Sequence, residues 1–286
     1  MKREKDFHLS EPTWCPGCGI YGIFAALKMA AVKIDLDPEE MVVVTGIGCH
    51  GRLNNHFRAY GFHALHGRTL PLASGIKLSN PRLSVLSISG DGDAYSIGVG
   101  HFVHALRKNI DITYLVVDNR IYALTQGQTS PTSPLGYVSV SAPFGTKELP
   151  LDGAKLALAS GGAFIARGFS AQPKKLAALI EKGIKHKGFS FIEVLSPCVT
   201  HNKIITAQWL KEHISHLDED HSYDPRSKKQ AWEKLIKEEK IPVGLIYVDE
   251  RATYGELVLP EKDQPLVGND LGIDEQRFER VLEEFQ

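Results

Sequence analysis

Through the first 200 residues, short β-branched runs alternate with stretches whose apolar residues recur at helical steps. Met41–Thr45, Leu83–Ser89, Ile112–Asp118 and Ser190–Leu195 each end near Gly, Asn or Pro and read as buried strands. Helices are predicted over Cys18–Val32, Ser96–Asn109, Asp152–Ser160 and Pro173–Lys187. In Ser96–Asn109 the residues Val99, Phe102, Val103 and Leu106 fall on one face, which marks it for burial. Strands that alternate with helices pair in parallel through right-handed crossovers, so the pattern predicts a doubly wound α/β sheet. Ligands of such sheets sit beyond the carboxyl ends of the strands, and chemistry is expected there.

Composition narrows the class without naming a function. With 286 residues, 43% hydrophobic and 23% charged, the chain fits a globular protein of one large domain or two modest ones. Disorder, collagen and coiled coil are excluded as global descriptions. A formal charge of −1 gives no overall sign of a nucleic-acid or membrane-surface binder. No apolar run approaches the roughly 20 residues that span a bilayer. The charged start Met1–Phe7 has no apolar stretch behind it, unlike a secretion signal, and four cysteines are too few for a disulfide scaffold. These features predict a soluble cytoplasmic protein with reduced thiols. Charge is nevertheless uneven. Residues 201–286 carry 12 basic and 19 acidic side chains, whereas residues 1–200 carry 21 and 15. The shift predicts a body over 1–200 and an acidic C-terminal extension over 201–286, serving as a subunit-docking arm or as an ordinary exposed helical subdomain.

Two G-x-G-x-x-G matches fail as dinucleotide fingerprints. Gly17–Gly22 follows no strand, and Gly46–Gly51 is followed by a poor helix start, with Arg68 about where a ribose-binding acid belongs. A stronger signal is Ser89-Gly-Asp91-Gly-Asp-Ala94 at the end of one strand, with Asn119-Arg-Ile121 at the end of the next. Asp91 and Asn119 are 28 positions apart, the length of one crossover, so both side-chain oxygens reach the same sheet edge. Hard oxygens of this kind suit Mg²⁺, and the surrounding glycines let backbone approach a diphosphate. Alone, Gly-Asp-Gly reads as a capped tight turn. With Asn119 one crossover later, the metal–diphosphate reading is preferred.

The cysteines form a second constellation. Trp14-Cys15-Pro-Gly-Cys18 offers two thiols at a metal-binding spacing, while Cys49 and Cys198 each follow a predicted strand. If both strand ends face one edge, the four converge and could hold Zn²⁺ or an Fe–S cluster. Taken singly, Cys49 or Cys198 is equally well a small buried hydrophobe.

The span from Gly-Asp-Gly to Asn119 resembles the thiamine-diphosphate enzymes. Together with the cysteines, the chain resembles the β subunits of 2-oxoacid:ferredoxin oxidoreductases, including those acting on 2-oxoglutarate. The resemblance covers roughly Pro12 to Cys198, with a weaker match at Ile241–Gly244. It is carried by Trp14-Cys-Pro-Gly-Cys-Gly19, Gly46-Ile-Gly-Cys49, His66-Gly-Arg68, Gly90-Asp-Gly-Asp93 and Asn119-Arg-Ile-Tyr-Ala-Leu-Thr125, continued by Gln126–Thr132. By resemblance, Asp91, Asn119 and the Ile121 carbonyl ligate Mg²⁺, and Cys15, Cys18, Cys49 and Cys198 ligate a [4Fe–4S] cluster. Ile47, Gly48, Cys49, His66, Gly67, Gly90, Gly92, Asp93, Ala123 and Leu124 would contact thiamine diphosphate. The chain departs from the family pattern at Asp118, commonly Asn, at Ala123, commonly Gly, and at His50, frequently Ser.

The resemblance implies reversible oxidative decarboxylation of a 2-oxoacid to an acyl-CoA, with thiamine as electron sink and a low-potential cluster passing single electrons to ferredoxin. His50, Arg52 and His66 are the expected substrate-facing side chains. Arg52, with Arg58 and Arg68, could hold a second substrate carboxylate, which favours 2-oxoglutarate over pyruvate. No second α/β domain is present to supply the Glu that activates the aminopyrimidine. An α subunit is therefore expected to bring it, in an αβ or (αβ)₂ assembly. A non-oxidative thiamine decarboxylase subunit, which needs no cluster, and a zinc-stabilised binding module are the competing readings.

Overall fold

The structure is a computed structural model that describes residues 2–237, 239–259, 264–268, 272 and 274–284. Among the described residues ten strands are formed: β1 Met41–Thr45, β2 Tyr60–His63, β3 Ser84–Gly90, β4 Thr113–Asp118, β5 Ile121–Tyr122, β6 Gln128–Thr129, β7 Phe164–Phe169, β8 Ser190–Leu195, β9 Ile214–His216 and β10 Ile241–Val248. Eight of them make one sheet in the order β2-β1-β3-β4-β8-β7-β10-β9, and β5 and β6 form a separate hairpin. From β2 to β7 every pairing is parallel, whereas β10 meets β7 antiparallel. The expected doubly wound, mostly parallel sheet is thus the architecture found.

Both faces of the central strands are covered, which is why their sequences are apolar at successive positions rather than alternate ones. Val43, Ile88, Leu115 and Val194 pack with helices Ile20–Lys33 and Pro173–Lys185 in one layer. Val42, Val44, Tyr114 and Phe191 pack with helices Thr69–Ser79, Val99–Lys108 and Gly153–Ala159 in the other. Residues beyond 201 contribute strand as well as helix, since β9 and β10 extend this sheet at one edge.

An ionic network lies in the interior. On β7, buried Arg167 donates from Nε to Glu193 of β8 at 2.7 Å and from an Nη to Asp152 at 2.8 Å, while Tyr95 donates to the other Glu193 oxygen at 2.7 Å. Each charge in this set is paired, as burial requires. Among the described residues, no helix is long and apolar enough to cross a membrane.

Candidate active site

β1 passes through Gly46-Ile-Gly48 into the tight 3₁₀ turn Cys49–Arg52, β3 passes into the helical turn Asp91–Tyr95, and β4 ends at Asp118 beside Asn119. Because β2 and β3 lie on opposite sides of β1, these strand ends flank the point where strand order reverses, the usual ligand crevice of an open α/β sheet. A cavity of about 300 Å³ opens there. Of the expected thiamine and cation residues, all but Gly67 line it, and so do His50, Tyr122 and Ile20. Gly67 stands one contact back, its N–H donating to Asp93 Oδ1 at 2.6 Å.

Gly92 and Gly46 are among the glycines that leave no room for a side chain here. A Cβ on Gly92 would lie 2.3 Å from the Tyr122 ring, whose hydroxyl donates to the Gly92 carbonyl at 3.1 Å. A Cβ on Gly46 would lie 1.9 Å from Asp93 Oδ2. These contacts hold the segments after β1 and β3 and the strand β5 in close packing beside the cavity. Asp93 is buried, with Oδ2 lacking a hydrogen-bond partner, and its Oδ1 lies 3.0 Å from His66 Nδ1. That His66 contact is close but poorly aligned for a hydrogen bond, because Nδ1 also has no aligned partner.

The acid at the cavity floor is strongly perturbed. Asp91 is 1% exposed, and burial pushes its pKa up to about 6 despite hydrogen bonds from Ser130 and Thr132. Asp118 is also pushed up to about 6, by burial first and then by the charge of Asp91, with Arg120 opposing. Thr132 Oγ1 lies 2.7 Å from Asp91 Oδ2 and 2.8 Å from Asp118 Oδ1, yet a hydroxyl has one proton to donate. Two buried carboxyls this close repel one another when both ionise, and a divalent cation held at Asp91 would relieve that repulsion. Asn119 Oδ1 accepts from the Ile121 N–H at 3.1 Å, which folds Asn119–Ile121 into a turn bordering the same cavity. The residues present therefore fit Mg²⁺ and a diphosphate.

His50 is buried with Nε2 unpartnered, and burial pushes its pKa down to about 4 against the pull of Asp93. It stands neutral at physiological pH, a hydrogen-bonding group rather than a cation. Its folded pKa lies below the unfolded value of 6.5, so it lowers stability as pH falls from about 6.5 to about 4. His50→Gln is expected to flatten this acid limb, by up to about 3 kcal/mol at its foot. Urea unfolding at a series of pH values checks this, and an unchanged limb would contradict it.

A second cavity, of about 200 Å³, adjoins the first and is lined by all four thiols, Cys15, Cys18, Cys49 and Cys198. Cys49, Ile20, Asn119, Ala123 and Leu124 line both cavities. Burial pushes the Cys18 thiol up to about 11, and the nearby Cys198, Cys49 and Cys15 add to the shift. Burial also raises Cys49, and Arg52 opposes the rise. Among the described residues, the trio with potential ligand atoms all within 4.8 Å of one another is His216, Asp218 and Glu219, so no three thiols are that close. Sulfurs at about 2.3 Å from a single zinc ion would be closer than that. The four thiols as they stand are thus spaced more widely than the ligands of a single zinc ion.

Arg52 borders this thiol cavity instead of the thiamine cavity, is exposed, and donates to the Thr13 carbonyl at 3.2 Å. Arg58 is exposed, and Arg68 reaches the Gly67 and Ile97 carbonyls. The supporting residues Ser130, Thr132 and Asn202 are not distinguished by the sequence reading. The first two sit in the hydroxyl-rich run Thr129–Ser133, which overlaps the motif continuation Gln126–Thr132.

Comparison with known proteins agrees with this geometry. Residues 14–194 match the family described as thiamine pyrophosphate enzyme, C-terminal TPP binding domain, and residues 198–263 match the C-terminal part of the pyruvate ferredoxin oxidoreductase beta subunit. The chain is 41% identical over 278 residues to a 2-oxoacid:ferredoxin oxidoreductase subunit beta of Saccharolobus solfataricus, covering 93% of this chain and 91% of that one. It is 44% identical over 207 residues to a 2-oxoglutarate synthase subunit KorB of Archaeoglobus fulgidus, covering 72% and 76%. The structure of a 2-oxoglutarate:ferredoxin oxidoreductase from Magnetococcus marinus, with 2-oxoglutarate, coenzyme A and succinyl-CoA bound, superposes with a TM-score of 0.91 at 34% identity, covering 98% of this chain and 96% of that one. The strand-end cavity, the thiol ring beside it and these similarities make one assignment: the chain belongs to the thiamine-diphosphate-binding β subunits of the 2-oxoacid:ferredoxin oxidoreductases.

Proposed function

We propose that this β subunit, joined to an α subunit, catalyses reversible CoA-dependent oxidative decarboxylation of a 2-oxoacid, with electrons leaving through a [4Fe–4S] cluster to ferredoxin. One observation carries the reading: a cavity floored by hard-oxygen ligands adjoins a cavity ringed by four thiols, and Cys49 lines both. When bound, thiamine diphosphate supplies the nucleophilic carbon and electron sink for the cleavage, and the cluster takes the electrons singly. Asp91 and Asn119 side-chain oxygens and the Ile121 carbonyl would hold Mg²⁺. Gly90 and Gly92 let backbone N–H groups approach the diphosphate, and the Asp91–Tyr95 turn adds its amino-terminal field. His66, which lies beside Asp93 and borders the same cavity, can hydrogen-bond the keto oxygen of a 2-oxoacid. Neutral His50 can accept or donate one further hydrogen bond but cannot neutralise a carboxylate. The fixed charge of Arg52 favours the thiolate form of Cys49, a role consistent with its place at the thiol cavity.

The similarity to 2-oxoglutarate synthase subunits and to an enzyme solved with 2-oxoglutarate and coenzyme A favours 2-oxoglutarate, with pyruvate next. The α subunit would supply the Glu that activates the aminopyrimidine and most 2-oxoacid and CoA contacts, in a cytoplasmic αβ or (αβ)₂ assembly. The acidic residues after 201 would contact that subunit. Anaerobic co-purification with the α subunit tests the reading. About four irons with matching sulfide and one thiamine per β subunit are expected, with a reduced-cluster EPR signal. Thiamine without iron would leave a non-oxidative decarboxylase, and zinc without thiamine would defeat the proposal. Loss of co-purification after deletion of residues 249–286 is the outcome expected of a docking extension.

A further inference from the structure

We propose that Asn202 is a positioning residue that couples the thiol cavity to the cation-binding turn Asn119–Ile121, an inference that rests on the two-cofactor reading above. Asn202 is 2% exposed and lies four positions after Cys198. Its backbone N–H donates to the Cys198 carbonyl at 3.2 Å, and the neighbouring His201 N–H donates to Cys198 Sγ at 3.4 Å. Its side-chain oxygen accepts from the Ile204 and Ile205 N–H groups at 3.2 and 2.9 Å. That pair of donors fixes which end of the amide is oxygen, so the NH₂ end is directed across the crevice. There it donates to the Asn119 carbonyl at 3.1 Å.

The receiving turn needs such a restraint. Arg120, between the two expected ligands, has φ +60°, a left-handed conformation costly for a residue with a Cβ. The turn is held from outside at two consecutive carbonyls, Asn119 by Asn202 and Arg120 by the Ser133 hydroxyl at 2.6 Å. Ser133 belongs to the loop after β6, whereas Asn202 belongs to the thiol segment. Fixing Cys198 by ligation therefore fixes the 198–202 turn, and through one buried amide it fixes the peptide that presents Asn119. Coupling between binding sites is reciprocal, so occupancy of the thiol cavity should strengthen cation and diphosphate binding, and the converse.

The test uses the αβ complex, prepared anaerobically, stripped of thiamine and titrated with Mg²⁺–thiamine diphosphate by calorimetry at pH 8, with iron measured in parallel. Asn202→Asp keeps an acceptor for Ile204 and Ile205 but loses the donor. It should weaken binding about tenfold while iron is retained. Cys198→Ser, expected to lack the cluster, should weaken binding similarly, and the double variant should be no weaker than either single one. Ser133→Ala, acting outside the thiol segment, should instead add fully to Cys198→Ser. Additive effects of Asn202→Asp and Cys198→Ser, or a change within about twofold for Asn202→Asp, would overturn the coupling. Amide hydrogen exchange across residues 119–121 reads the link without any cofactor, and Asn202→Asp should speed it. Unchanged exchange overturns the proposal, whereas a wild-type complex without iron or thiamine overturns only the reading on which it rests.

Discussion

Asp91→Asn is expected to abolish Mg²⁺-dependent thiamine diphosphate binding and, in the metal-free complex, to raise stability at neutral pH. The two effects have opposite signs because the same charge serves the ligand and burdens the fold. Asp91 and Asp118 are both buried, both have pKa values pushed up to about 6, and the Thr132 hydroxyl lies between them, with Ser130 as a further donor to Asp91 and the Arg120 N–H as a further donor to Asp118. For Asp91 the folded pKa lies above the unfolded value of 3.8, so its cost is absent below about pH 4, grows as pH rises through about 6, and is complete above that. A shift of that size is worth up to about 3 kcal/mol at pH 7–8. Metal-free wild type should therefore lose stability between pH 4 and 7 more steeply than the variant. Thermal unfolding with a chelator at pH 5 and pH 8, beside calorimetric titration with Mg²⁺ and thiamine diphosphate, measures both effects. A variant that still binds thiamine through Mg²⁺, or is less stable than wild type at pH 8, would show that Asp91 is a structural turn acid and not a cation ligand.

The parts of this molecule visible in the sequence are those whose cause is local. β1 and β8 are predicted residue for residue, and β3 and β4 to within one residue at each end, because both faces of each are buried and apolar residues dominate them, with only single polar residues such as Ser87 and Glu193 intervening. β7 is missed because Arg167 and Gly168 interrupt its run, and the partners that make a buried arginine tolerable, Glu193 and Asp152, lie far away in sequence. β2 carries four exposed residues and shows no pattern, while Pro242, Gly244 and a register shift obscure β10. The site divides in the same way. Gly-Asp-Gly, Asn119, Cys49 and Cys198 are readable because each follows a strand and parallel topology gathers strand ends at one edge, whereas Cys15 and Cys18, which precede every strand, are readable only by their close spacing. Arg52 lines the thiol cavity and not the strand-end cavity, because the 3₁₀ turn Cys49–Arg52 buries His50 and exposes Arg52 toward the thiols. Thr132 and Asn202 act through hydrogen bonds across 41 and 83 positions, and an isolated hydroxyl or amide carries no sign of its distant partner.

Cys49→Ser should separate the two halves of the chemistry. Ferredoxin-linked oxidation should fall by about three orders of magnitude or more, since loss of one thiol from the ring removes the acceptor beside the thiamine cavity. Serine offers a hard, hardly ionised hydroxyl where a soft thiolate is needed, and in a half-buried position burial would suppress its ionisation further. Thiamine diphosphate should be retained better than iron, because Asp91, Asn119 and the Cys49 backbone are untouched. That backbone is held independently: the Trp14 indole N–H donates to the Cys49 carbonyl at 2.8 Å. Thiamine affinity should fall only by the share that the cluster transmits through Cys198 and Asn202. Iron, sulfide and thiamine content, measured with ferredoxin reduction and with CO₂ release in the absence of ferredoxin, tests this separation. Full iron with normal ferredoxin reduction would remove Cys49 from the ligand set. Complete loss of thiamine along with iron would mean instead that the two cavities form one folding unit, for which the ring of thiols is the foundation and not only the electron exit.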